Sequence, residues 1–290
     1  MTELLLGVNV AASTAPDGDP VGTARAAEAL GFDFVSAADH PCGTSPTFET
    51  WTMLTWIAAS TSHIRVATRV LGVPYRPPAI VAKMAEALDR LSGGRLILGL
   101  GGGYSDEEFR AFGLTVPSAR DKVDGLDEAI KITRGLWSEP GFTFAGRLYQ
   151  VAGADIEPKP SHHIPIWLGT FGDRALAVTG RHADGWIPSL GHVPAGQLPI
   201  MRGKVLAAAR QAGRSPEELT CALNVEIHVG DGAEPRPGLI AGHGDQVAAS
   251  LLEFVAAGFT AFNFMPVGAP AREQMEQLAT DVIPELRAAV

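Results

Sequence analysis

Apolar and polar positions along the chain form a repeating alternation. Short apolar runs stand at Leu4–Val10, Phe32–Ala37, Ile64–Val73, Arg95–Leu100, Ile164–Leu168, Gly185–Pro188, Thr220–Val229 and Phe259–Met265. Each reads as a buried strand, because a strand covered on both faces is apolar throughout rather than at every second position. Between and after them lie segments of helical period: Val21–Leu30, Thr50–Ser60, Pro78–Leu91, Ser105–Gly113, Ser118–Trp137, Asp173–Arg181, Leu198–Ala212, Gly244–Ala257 and Arg272–Ala289. Gly31 and Gly93-Gly94 follow two of these helices, where a glycine closes the last turn. Phe142–Val151 alternates with period 2 about Ala145-Gly146 and reads as a small β-hairpin insertion. Strands that alternate with helices predict an α/β fold with a parallel sheet, and eight such units close a (β/α)8 barrel. An open doubly wound sheet is the competing arrangement. No composition break or low-complexity linker divides residues 1–290, which are therefore read as one domain.

Composition removes several function classes. With 46% hydrophobic and 19% charged residues, the 290-residue chain is neither disordered nor a coiled coil. Its net charge of −9 argues against a nucleic-acid or anionic-membrane surface. Cys42 and Cys221 form no CxxC or Cys/His cluster, so a zinc site is not expected and a reducing, cytoplasmic location is. Leu4-Leu5-Leu6-Gly7-Val8 followed by Ala11-Ala12-Ser13 has the outline of a signal peptide. No Lys or Arg precedes Arg25, however, and the apolar run stops at Asn9, which favours a first strand. No apolar run reaches the roughly 18 residues a spanning helix needs.

In such barrels chemistry gathers where strands end. Asp39-His40 follows the second strand, and an imidazole trades protons near neutral pH; the plainer reading is a loop Asp and a surface His. Gly101-Gly102-Gly103-Tyr104 follows the fourth strand, where bare backbone lets a flat or anionic ligand approach, or else simply turns into a helix. Gly169-Thr170-Phe171-Gly172-Asp173-Arg174 leads into a helix whose N-terminus favours an anion, with Arg174 as a second contact. Here the alternative is an Asp cap and a solvated Arg. Pro160-Ser161-His162-His163-Ile164-Pro165 reads as an exposed loop rather than a metal pair. Glu107-Glu108, Asp124, Asp127 and Glu128 read as solvated helix faces, and Phe48, Trp51 and Trp56 as helix packing. Neither GxSxG nor HExxH occurs, so a bound cofactor is the expected source of reactivity.

The run PYRPPAIVAKMAEALDRLSGGRLILGLGGGYSDEEFRAFG, Pro74–Gly113, resembles the luciferase-like monooxygenase family. FVSAADH (34–40), PIWLGTFGDRALAVTGRHADGWIP (165–188) and EFVAAGFTAFNF (253–264) extend the likeness over nearly the whole chain. It looks most like the branch that uses the deazaflavin coenzyme F420. The resemblance implies a TIM barrel with the cofactor in its mouth and a homodimeric assembly. It implies a non-prolyl cis peptide near Arg69-Val70 or Val70-Leu71, against which the ring rests. Gly102, Gly103 and Tyr104 would line the ring. Gly169, Thr170, Phe171, Gly172 and Arg174 would hold the ribityl phosphate. Asp39 and His40 match the pair that handles the substrate proton in deazaflavin sugar-phosphate dehydrogenases.

Departures from that pattern bear on the substrate. Arg69 stands where the family has a small residue. Thr44 stands where the sugar-phosphate enzymes carry Trp, and Tyr104 where they carry Glu. Their lysine-rich insertion is missing, since Pro235–Gly244 is short. These differences argue against a sugar phosphate and for a small apolar carbonyl or enone. The expected activity is an oxidoreductase that moves a hydride to or from F420. An FMN-dependent monooxygenase and a non-catalytic flavin-binding barrel are the alternatives.

Overall fold

A ring of parallel strands runs through the computed structural model, which describes residues 4–16 and 18–289. The strands are β1 (Leu5–Asn9), β2 (Phe34–Ala37), β3 (Arg65–Thr68), β4 (Leu71–Gly72), β5 (Leu96–Gly101), β6 (Phe142–Ala145), β7 (Gln150–Ala154), β8 (Ile166–Leu168), β9 (Gly185–Trp186), β10 (Thr220–Val229), β11 (Leu239–Gly242) and β12 (Ala261–Pro266). The ring follows β1-β2-β3-β5-β8-β9-β10-β12, and β12 pairs back onto β1. This is the predicted (β/α)8 barrel, with helices packed around it. The antiparallel pair β6–β7 is the predicted hairpin insertion. Residues 1–3, 17 and 290 of the single-domain reading lie outside the described residues.

Three elements differ from expectation. The single strand read at Ile64–Val73 is two pieces, β3 and β4, with a cis peptide at Arg69-Val70 between them. β11 is an additional parallel strand, paired with the upper half of β10 from Glu226 to Val229. The last helix is helical over Ala271–Gln277 and Ile283–Ala288, joined by a π-helical turn at Leu278–Val282.

Two apolar layers result from the alternation of side chains along each strand. Leu6 and Val8 of β1, Val35 of β2 and Leu98 of β5 point out and pack under the helices. Phe34, Ala67, Ile97, Trp167, Ile187, Ala222 and Ala261 form a separate cluster inside the ring. Its centre is an edge-to-face pair, Phe34 with Trp167, at 5.7 Å between ring centroids. Gly7 makes this plug possible: a Cβ there would lie 2.3 Å from the Phe34 ring. Ring closure is narrow. β9 and β10 pair only through Gly185–Thr220 and Trp186–Cys221, with one further bridge between Ser189 and Asn224.

Glu128 corrects the reading of a solvated face. It is buried and accepts the amides of Arg147, Leu148 and Tyr149 at 2.8, 2.9 and 2.8 Å, which ties the hairpin loop to the helix Ala119–Ser138. Asp124 and Asp127 are likewise committed, Asp124 to Arg120, Arg147 and Arg174, and Asp127 to Lys131 and His182. Among the described residues, no helix is long and apolar enough to cross a membrane.

Candidate active site

Above the aromatic plug the barrel interior turns polar. Ser36 Oγ donates to Asn263 Oδ1 at 2.8 Å, and Asn263 Nδ2 donates to Asn224 Oδ1 at 2.9 Å. Asn224 Nδ2 in turn donates to Ser189 Oγ at 3.2 Å. Beside Ser36, on the neighbouring strand β1, Asn9 Oδ1 accepts from Arg69 Nε at 2.9 Å. This layer is the floor of a cleft of about 460 Å³ at the C-terminal ends of the strands. One wall is bare backbone, Gly101-Gly102-Gly103, completed by Gly169 and Val70. Val70 fills the space those glycines leave: a Cβ on Gly101 would stand 2.6 Å from Val70 Cγ2, and one on Gly169 3.1 Å from it. Phe171, His192 and Tyr104 form an aromatic rim, with Phe171 stacked on His192 at 5.4 Å and Tyr104 edge-on to His192 and His40.

Asp39 and His40 both line the cleft, but they act apart. The Asp39 carboxylate is buried and fully engaged. It accepts the Gly72 amide at 3.0 Å and both terminal nitrogens of Arg76 at 2.9 and 3.0 Å. Arg76 also donates to Glu49 Oε1 at 2.6 Å. Burial works against the Arg76 charge, but its hydrogen bonds to Asp39 and Glu49 outweigh burial and raise its pKa above the ordinary value. Asp39 therefore fixes β4 and the segment just beyond it, and among the described residues it makes no hydrogen bond to His40.

His40 takes its partner from elsewhere. Its Nδ1 lies 2.9 Å from Glu108 Oε1. Tyr75 donates its hydroxyl to the other oxygen, Glu108 Oε2. Burial, reinforced by the Glu108 contact, pushes the Tyr75 phenol up, so it stays a donor. Glu108 sits in the short helix Asp106–Ala111 that follows the glycine wall and is buried, not solvated as its sequence setting suggested.

The remaining predicted residues divide. Arg69, Val70, Gly102, Gly103, Tyr104, Gly169 and Phe171 come together at the cleft. Thr170 does not: it is buried, its hydroxyl meets Thr179 at 2.7 Å, and its carbonyl accepts the Trp186 indole N–H at 2.9 Å. Gly172 caps the helix Asp173–His182 beyond the cleft lining. Arg174 is exposed and paired with Asp124 at 2.5 Å, because the neighbouring helix Ala119–Ser138 presents a carboxylate to it. His162 and His163 turn to separate carboxylates, Asp89 and Asp184, each at 3.3 Å. Ile187, Ser189, His192 and Asn224 line the cleft without having been singled out. Ile187, Ser189 and His192 follow the end of β9, and Asn224 lies midway along β10, so position alone marks them.

Comparisons with known proteins identify the family and the fold. Residues 7–237 match the luciferase-like monooxygenase family. An F420-dependent glucose-6-phosphate dehydrogenase of Kineococcus radiotolerans is 28% identical over 98% of this chain and 97% of its own. An F420-dependent hydroxymycolic acid dehydrogenase of Mycobacterium tuberculosis is 34% identical over 73% of this chain and 59% of its own. Among solved structures, an F420-dependent secondary alcohol dehydrogenase in complex with an F420-acetone adduct superposes with a TM-score of 0.88 at 18% identity, covering 98% of this chain and 99% of that one.

The division between Asp39 and His40 has a measurable consequence. Removing one member of a buried ion pair strands the other, at a cost of about 3–5 kcal/mol. Asp39→Ala is expected to lose stability on that scale in chemical unfolding. His40→Ala, whose side chain is half exposed, is expected to lose less than about 1 kcal/mol. Equal losses would contradict the assignment.

Proposed function

The chain belongs to the luciferase-like monooxygenase family, and on that footing we propose that it is a coenzyme F420-dependent oxidoreductase acting on a small carbonyl or enone. The observation that carries this reading is the side-chain-free wall of Gly101-Gly102-Gly103 and Gly169, with Val70 between them, facing His40 across one cleft. A flat ring fits a wall without side chains, and relatives of this chain over most of its length are F420-dependent dehydrogenases.

Bound F420 supplies or accepts the hydride. The residues of this chain do the rest. In the reducing direction, hydride addition leaves a lone pair on the substrate oxygen, or on the α-carbon of an enone. His40 delivers a proton there from Nε2, while Nδ1–H remains on Glu108 Oε1 and steadies the imidazolium. Glu108 is held for this by Tyr75. Phe171, Tyr104 and His192 rim the cleft mouth. We assign the phosphate end of the cofactor to the N-terminal turn of the helix Asp173–His182, reached past Phe171 and Gly172. Arg174 contributes there only by leaving Asp124.

Two further parts of the reading concern the assembly and its location. Exposed Trp56, Ile80 and Leu91 on the helices Thr50–Ser60 and Pro78–Ser92 support a homodimer built on these helices. The two unpaired cysteines support a cytoplasmic location.

Three measurements test this reading. Fluorescence titration is expected to show F420 binding more tightly than FMN; micromolar FMN binding without F420 binding would return the protein to the monooxygenase alternative. His40→Ala is expected to lower kcat by about 10²–10⁴ on a small enone such as cyclohex-2-enone, with F420 affinity little changed. Full kcat in that variant removes His40 from the mechanism. Sedimentation at micromolar concentration is expected to give a particle of about twice the 30.4 kDa chain, and a monomer alone would overturn the dimer.

A further inference from the structure

Arg69 is a cation at the cleft with no carboxylate to answer it. Its Nε bonds Asn9, and among the described residues its terminal nitrogens have no hydrogen-bond acceptor and no Asp or Glu partner. The two carboxylates nearest the cleft are taken, Asp39 by Gly72 and Arg76, and Glu108 by His40 and Tyr75. Burial lowers the Arg69 pKa to about 10, which still leaves the group charged at neutral pH. Arg69 is half-buried and lines the cleft, so an anion bound there would gain a charge-assisted hydrogen bond.

Direction separates this cation from the ring wall. Val70 leans onto Gly99, Gly101 and Gly169, toward β5 and β8. Arg69, its neighbour, turns to Asn9 at the end of β1. The guanidinium therefore serves the floor of the cleft beside the ring wall, the space left for a substrate. The phosphate end of the cofactor is assigned to another helix, past Phe171.

We propose that Arg69 is a carboxylate anchor for the substrate, so that the carbonyl or enone this site accepts carries a carboxylate held by the two terminal nitrogens of the guanidinium. The proposal rests on the function read above and narrows its substrate to a class. The planar fork of an Arg matches the two oxygens of a carboxylate, and the neutral amides of Asn9 and Asn224 add no competing charge. The apolar share of the lining, Val70 and Ile187, faces the hydrocarbon part of such a molecule.

Calorimetry with benzoate and benzamide, two unreactive probes that differ in charge, tests this on the protein with and without F420. Benzoate is expected to bind at least about tenfold more tightly than benzamide. Arg69→Gln is expected to erase that preference and Arg69→Lys to keep part of it, with F420 affinity within about threefold of the parent in both. Equal binding of the two probes to the parent overturns the proposal, whether or not Arg69→Gln folds. So does a preference that survives Arg69→Gln, or a variant that loses F420 and keeps benzoate, which would give the cation to the cofactor. Failure of F420 to bind the parent sinks the proposed function instead, and the benzoate preference of the cofactor-free protein still decides the role of Arg69.

Discussion

The ion pair between Asp39 and Arg76 is the contact on which the mouth of the barrel depends. It joins the segment after β2 to the segment after β4, and through Glu49 it reaches the start of the helix Thr50–Ser60. Asp39 also accepts the Gly72 amide, so both of its oxygens are used. A buried carboxylate with three donors, two of them charged, holds its geometry firmly.

Two consequences follow from that commitment. His40 cannot draw on its sequence neighbour and is oriented by Glu108, which a separate helix carries across the cleft and Tyr75 fixes from the far side. Arg69 is left with a neutral amide for company, which gives the floor of the cleft a positive character although the chain as a whole carries −9. Local charge and net charge therefore have opposite signs. A negative surface with a cationic interior suits a small anion held inside a pocket rather than a polyanion spread over the surface.

The architecture was legible because barrel strands are buried on both faces. That condition writes a continuous apolar run into the sequence, and the runs could be counted. β11 was not legible, since Leu239–Gly242 is too short to show a period and pairs only at the outer edge of β10. At the site, the glycine wall and His40 were readable because their chemistry is local. Glu108 and Glu128 were misread for one shared reason: each lies in a helix with acidic neighbours, and only the fold brings Tyr75 or the amides of residues 147–149 against it. Thr170 and Arg174 lie in a segment that resembles a phosphate loop, yet Thr179 and Asp124 from other turns claim them. Pairing between distant segments leaves no mark in a single sequence.

The polar layer over the aromatic plug gives the cleft its depth. Phe34 and Trp167 close the barrel below, while Ser36, Asn224 and Asn263 form a bonded chain above, so this part of the floor is held by its own hydrogen bonds. Diffraction from crystals grown with F420 tests the central claim most directly. The account predicts ring density against Val70 and Gly101-Gly102-Gly103, with Asp39 still paired with Arg76 and His40 still on Glu108. A ring bound outside this cleft, or an Asp39 released from Arg76 to meet it, would contradict the account.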